Sequence, residues 1–254
     1  MSIARRHARL GRYFWWQLHD YMLHQAPATI AIMLLWSYLT LAPILNGSMT
    51  AGRRFTIATL PENVVRSFFA DSLGSLLLLA TLFATNGIVA TDRRTGFYRF
   101  YFAKPVSAPR FYTNAFVANG FGVLLVSLML LVVFAAFLRP IFPASFVPVV
   151  AAMYLAYGGV GFLLSTLWRF DWLSLVTVAV ISTIGWSMWG DDPGIAGILV
   201  HLLPPMHLTS SLYTFVAGAT DGFPWGAQLW LSAYGAACFL LGLWILRTRS
   251  LASQ

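Results

Sequence analysis

Most of this chain carries no charge, and the places where charge is absent set the fold. Residues 21–52, 72–91, 111–138, 140–168, 172–190, 193–220 and 222–246 contain no Asp, Glu, Lys or Arg. A helix needs about 20 mostly apolar residues to cross ~30 Å of hydrocarbon. Inside lipid the backbone must pair within itself, so such runs predict helices. Six of the seven predict full spans, near residues 27–45, 72–91, 112–137, 148–168, 172–189 and 225–246. The seventh holds Pro204 and Pro205 beside His201 and His207. Two adjacent prolines remove two backbone donors and disfavour a straight helix. Residues 193–221 are therefore expected to form a broken, re-entrant or interfacial segment on the outer side before the last span. Only 9% of the residues are charged, against ~25% in soluble domains. The expected fold is an all-α membrane protein with six transmembrane helices, one membrane domain over residues 1–254.

Orientation follows from the basic side chains. Arg5, Arg6, Arg9, Arg12, Arg93, Arg94, Arg99, Lys104, Arg110, Arg169, Arg247 and Arg249 fall on one side of a six-span path. Arg53, Arg54, Arg66 and Arg139 fall on the other. Cytosolic loops carry the excess of Lys and Arg. Both termini are then cytosolic, in an inner or plasma membrane. The formal charge of +8 expresses this bias and an attraction to anionic headgroups; nucleic acid is not an expected partner.

Residues 5–23 predict an amphipathic helix on the inner membrane surface, with Leu10, Phe14, Leu18 and Tyr21 on one face and arginines on another. Pro27 is expected to start the first span. The first apolar run begins too late for a secretory signal, and Arg5-Arg6 lacks the context of a twin-arginine leader. External turns are expected over residues 46–71 and 139–148, and a tight internal turn over 168–172. The lone Cys238 permits no disulfide within the chain, and no Cys/His zinc spacing occurs, so no metal is expected.

The predicted spans contain no Asp, Glu, Lys or Arg, whereas ion-coupled transporters hold ionisable groups at membrane depth. No Gly-x-x-x-x-Gly-Lys-Ser/Thr loop is present, so the chain has no phosphate cradle of its own. Neither a Gly-x-Ser-x-Gly elbow nor a His-Glu-x-x-His pair occurs, and no catalytic residue is expected. Asp191, Asp192, His201 and His207 could form an outer-face metal or acid/base site, or a solvated acidic loop followed by interfacial histidines.

The most specific segment is residues 92–110, which holds five of the sixteen basic residues between two apolar runs. From Asn86 to Tyr112 the chain resembles the permease subunits of ABC-2 type ATP-binding-cassette transporters. Asp92-Arg93 fits that family's acidic-Arg pair, with Asp where Glu is common. Gly96 fits its glycine, and Lys104-Pro105-Val106-Ser107 fits the element that begins its third span. The six-span plan, the N-terminal helix and the broken segment extend the resemblance across nearly the whole chain.

The resemblance implies a coupling helix between the second and third spans that docks on a separate nucleotide-binding ATPase subunit. Residues 95–103 are long enough for about two and a half turns. Phe97, Phe100 and Tyr101 would share one face, with Arg93, Arg94 and Arg99 at the rim. Asp92, Arg93, Arg94, Gly96, Phe97, Arg99, Phe100, Tyr101, Lys104 and Pro105 are the expected coupling residues. Ser107 would cap the third span, with Pro109 in its first turn. Two ATPase copies, carrying ATP and Mg, and a second permease chain are the implied partners. A path at the permease dimer interface is implied, with Trp36, Tyr38, Asn86, Trp186, Met188 and Trp189 as lining residues; a lipid-facing aromatic belt accounts for the same residues. An uncharged aromatic path suits an amphipathic or lipid-like substrate. A membrane enzyme with its site near residues 191–207 and an ion-coupled secondary transporter remain open.

Overall fold

The computed structural model describes residues 3–50, 61–86, 88, 107–137, 145–167, 171–216 and 222–248. Among these residues all regular structure is helical. In chain order the helices are α1 Ile3–Asp20, α2 Ala26–Thr50, α3 Glu62–Asn86, α4 Ala108–Phe137, α5 Phe146–Leu167, α6 Asp171–Trp189, α7 Ile195–Leu202, α8 Thr209–Val216 and α9 Trp225–Thr248. Four segments are long and apolar enough to cross a membrane: Arg66–Thr85 in α3, Ala108–Val132 in α4, Phe146–Leu167 in α5 and Trp225–Thr248 in α9. Helix α2 adds 25 residues without an acidic or basic group. In α6 the apolar stretch Ser174–Trp189 is shorter.

Two boundaries differ from the sequence expectation. Helix α3 begins at Glu62, and its apolar window takes in Arg66 and Asp71. Charge breaks a hydropathy run but does not break a helix, because a long side chain at a span's end can reach polar surroundings. The spans are therefore not free of ionisable residues. The second difference lies at Pro27, which does not open a new helix. Asp20 and Ala26 both keep right-handed helical angles, and one π turn, Tyr21–Gln25, joins α1 to α2. Pro27 cannot donate to the carbonyl of Leu23, and the wider turn just before it accommodates that lost bond.

Helix α5 is the centre of the bundle. It packs on α3, α4, α6 and α9, and 15 of its 22 residues are buried. Its tightest partner is α9. A Cβ on Gly159 would overlap the backbone carbonyl of Gly235, and a Cβ on Gly235 would overlap that of Leu155. Lipid offers helices no hydrophobic drive to associate, so close backbone approach through small residues supplies the contact. Aromatic rings fill the adjoining space: Phe116 of α4 stacks on Phe239 of α9 at 4.2 Å, and Phe162 of α5 meets Phe239 at 4.8 Å.

Polar side chains pin the helices at a few points. The Tyr154 hydroxyl donates to the Phe116 carbonyl at 2.6 Å. The Asn119 amide donates to the Ala84 carbonyl at 2.9 Å, tying α4 to α3. Asn114 of α4 donates to Gln17 of α1 at 2.6 Å. Helix α1 thus docks on α4 through Gln17 and Leu18, both buried, while Trp15 and Trp16 stay exposed.

The broken segment and the candidate site

The segment before α9 consists of α7 and α8, each eight residues long. The two halves, Ile195–Leu202 and Met206–Val216, are bent by 67°. Each short helix rises only about 12 Å. Pro204 and Pro205 occupy the break, followed by one 3-10 turn, Met206–Leu208. A helix end leaves its last carbonyls without partners, and an unpaired one away from water costs several kcal/mol. Two neighbouring helices supply the missing donors. The Tyr234 hydroxyl of α9 donates to the Leu202 carbonyl at 2.9 Å. The Ser182 hydroxyl of α6 donates to the Pro204 carbonyl.

A third clamp comes from α8. Tyr213 lies against Gly74 of α3, where an added Cβ would come within 2.7 Å of the ring. Its hydroxyl reaches the Met153 sulfur of α5 at 3.8 Å and hydrogen-bonds with Tyr157. The break is thus held by α3, α5, α6 and α9 together. Ser182, Tyr213 and Tyr234 were not among the residues singled out by sequence. A hydroxyl embedded in a charge-free span was the available signal, because such a group seeks a partner.

Trp186 and the two histidines of this segment form one cluster. The His207 ring lies parallel to the Trp186 indole at 3.7 Å, with 2° between planes. The His201 ring meets the same indole at 4.8 Å and 63°. His201 Nδ1 donates to the Gly197 carbonyl at 2.7 Å. The Asp192 carboxylate accepts the Gly194 N–H at 2.9 Å and so closes the turn after α6. Asp191 and Asp192 are both exposed. Among the described residues no group of three or more His, Cys, Asp or Glu is placed to hold a metal.

The sequence-derived path residues separate into two sets. Trp36 and Tyr38 are exposed on α2; Met188 and Trp189 are exposed at the end of α6. Both helices pack on α3. Trp186 is instead half-buried in the histidine cluster. Asn86 ends α3, and its side chain lies outside the described residues. Asp92, Arg93, Arg94, Gly96, Phe97, Arg99, Phe100, Tyr101, Lys104 and Pro105 also lie outside them. Where description resumes, the Ser107 carbonyl accepts the Phe111 N–H at 3.1 Å and Pro109 sits in the first turn of α4. Arg110 there is exposed.

Comparison with protein-family models, with curated proteins and with solved structures yields no match to this chain.

Proposed function

We propose that the chain is the membrane-spanning permease subunit of an ABC exporter. The carrying observation is the run Asp92-Arg93, Gly96 and Lys104-Pro105-Val106-Ser107 between the apolar helices α3 and α4. In this reading α2, α3, α4, α5, α6 and α9 are the six spans. Helices α7 and α8 re-enter from the outer face and return to it. Both termini are cytosolic, and the exposed Trp15 and Trp16 of α1 rest at the inner headgroup level. Two ATPase subunits bind ATP and Mg and push on residues 95–103, and two permease chains enclose the path. The exposed, uncharged faces of α2 and α6 suit an amphipathic or lipid-like substrate.

The test is to purify the tagged protein gently from its native membrane and assay for ATPase. Co-purifying activity that disappears in an Arg93→Ala/Gly96→Val variant supports the reading. Activity that survives in the variant removes the coupling assignment and keeps the ABC class. Absence of an ATPase partner overturns the proposal. The path has its own test: Trp36→Ala with Trp186→Ala should lower transport while the complex still assembles.

Arg66 and Asp71 inside the α3 window favour one second reading, an ion-coupled transporter, because ionisable groups within spans mark ion pathways. Substrate movement in vesicles without ATP, lost on Asp71→Asn, would establish it.

A further inference from the structure

We propose that the π turn Tyr21–Gln25 is a working joint, across which α1 travels with α4 while α2 travels with α3. The burial pattern makes the wide turn necessary. Gln17, Leu18 and Tyr21 are buried before it, and Ala26, Thr29 and Met33 after it. The step from Tyr21 to Ala26 is five residues, which in an α-helix would turn the chain about 140° off the buried face. In the π turn the Ala26 N–H donates to the Tyr21 carbonyl, so residues five apart lie over one another and the face is restored. The turn carries one residue more than an α-helix would need there.

Two different bodies meet at this turn. Helix α1 packs on α4, and α2 chiefly on α3. The α1 side is pinned. Asn114 of α4 donates to Gln17 at 2.6 Å, and Phe14 meets Phe121 of α4 edge-on at 5.6 Å. The Tyr21 ring occupies the place that a Cβ on Gly122 would take. Two residues earlier on α4, about 200° round the helix, Gly120 gives similar room to the Tyr154 ring of α5. Helix α4 is gripped from two sides, and α1 is held to it. The α2 side is softer. Pro27 supplies no backbone donor, and the Thr29 hydroxyl donates to the Gln25 carbonyl at 2.9 Å, a pairing that bends helices. Helices kink at prolines and π turns, and hinge motion is absorbed by a few residues at an element's end. Here both lie between the two bodies.

Nitroxide pairs in the full-length chain in lipid nanodiscs, on a Cys238→Ser background, test the joint by electron–electron double resonance. Trp15, Leu34 and Met129 are exposed on α1, α2 and α4. Expected is a narrow distance distribution for Trp15→Cys with Met129→Cys, and a broad one for Trp15→Cys with Leu34→Cys. Removing the exposed Leu23 together with Pro27→Ala leaves Tyr21 and Ala26 four apart, in α-helical phase, and should collapse the broad distribution to a narrow one. Should that variant not stay monodisperse, Pro27→Ala alone, which keeps the length and returns a donor, should narrow it in part. Gly122→Ala should unseat Tyr21 and broaden the α1–α4 distribution; an unchanged one would overturn the assignment of α1 to α4. An α1–α2 distribution as narrow as the α1–α4 one in the unaltered turn overturns the joint, as does breadth that survives the changes to the turn. These distances are read without nucleotide, ATPase or substrate, so the joint and the permease reading can fail separately.

Discussion

Helices α5 and α9 are neighbours of nearly equal length, 22 and 24 residues, and neither contains Asp or Glu. Yet 67% of the α5 span window is buried within the protein and only 22% of that of α9. One is the core of the bundle; the other presents most of its surface outward. In a soluble protein such a difference would be written as an amphipathic stripe. In lipid it is not, because hydrocarbon and a protein interior are almost equally apolar. The distinction survives in finer features. Helix α5 carries Gly158, Gly159 and Gly161 with Tyr154 and Tyr157, all buried. Helix α9 turns Gly235 and Gly242 inward and leaves Trp225, Trp230, Leu240, Leu241 and Trp244 outward. Trp225 and Trp244 stand about 28 Å apart along the helix, close to the hydrocarbon thickness of ~30 Å. That is the spacing of tryptophans at the two headgroup levels.

The largest effect should come from closing the gap between the two helices. Gly159→Leu places a side chain where the Gly235 carbonyl sits. Expected is loss of monodisperse protein in size-exclusion chromatography; a normal profile would show that α9 can move away from α5 without cost.

Next comes the ring cluster. Phe162 is fully buried and touches Phe116 and Phe239. Phe162→Ala should cost about 2 kcal/mol or more through the cavity it opens, read as a lower midpoint in a thermal aggregation assay. Tyr234→Phe should cost about 1 kcal/mol, because the Leu202 carbonyl loses its donor. Protease access at the break between α7 and α8 should rise with it, and unchanged access would mean another donor reaches that carbonyl. The smallest effect belongs to the outward face of α9. Leu240 is 62% exposed, and Leu240→Ala should change stability by less than about 0.5 kcal/mol. A loss as large as that of Phe162→Ala would mean that this face meets protein rather than lipid.

Particular residues show how far the sequence could be read. The charge-free runs located α4, α5, α6 and α9 to within a few residues, because a helix in lipid satisfies its own backbone and so follows hydropathy. Pro204 and Pro205 marked the break between α7 and α8 for the same local reason. The start of α3 was not legible: Arg66 and Asp71 interrupt the apolar run although the helix passes through them. The join of α1 to α2 was also hidden, since Pro27 signals a start and a π turn absorbs it. Of the residues named for the path, Trp36, Tyr38, Met188 and Trp189 are exposed on α2 and α6, while Trp186 is the platform for two histidines.

By itself the sequence determined that the chain is helical, apolar and suited to a membrane, and where one segment must break. Those properties depend on groups within a few residues of one another: the 3.6-residue hydrogen-bond ladder, the missing proline donors and the spacing of charges. Only the tertiary structure decided that α5 is central, that Ser182 and Tyr234 satisfy the carbonyls at the break, and that His201 and His207 share Trp186. Each of those pairs a residue with one distant in the chain. Where every helix is apolar on every side, no periodicity states which faces meet; backbone approach at glycine and the needs of a few hydroxyl and carbonyl groups decide it.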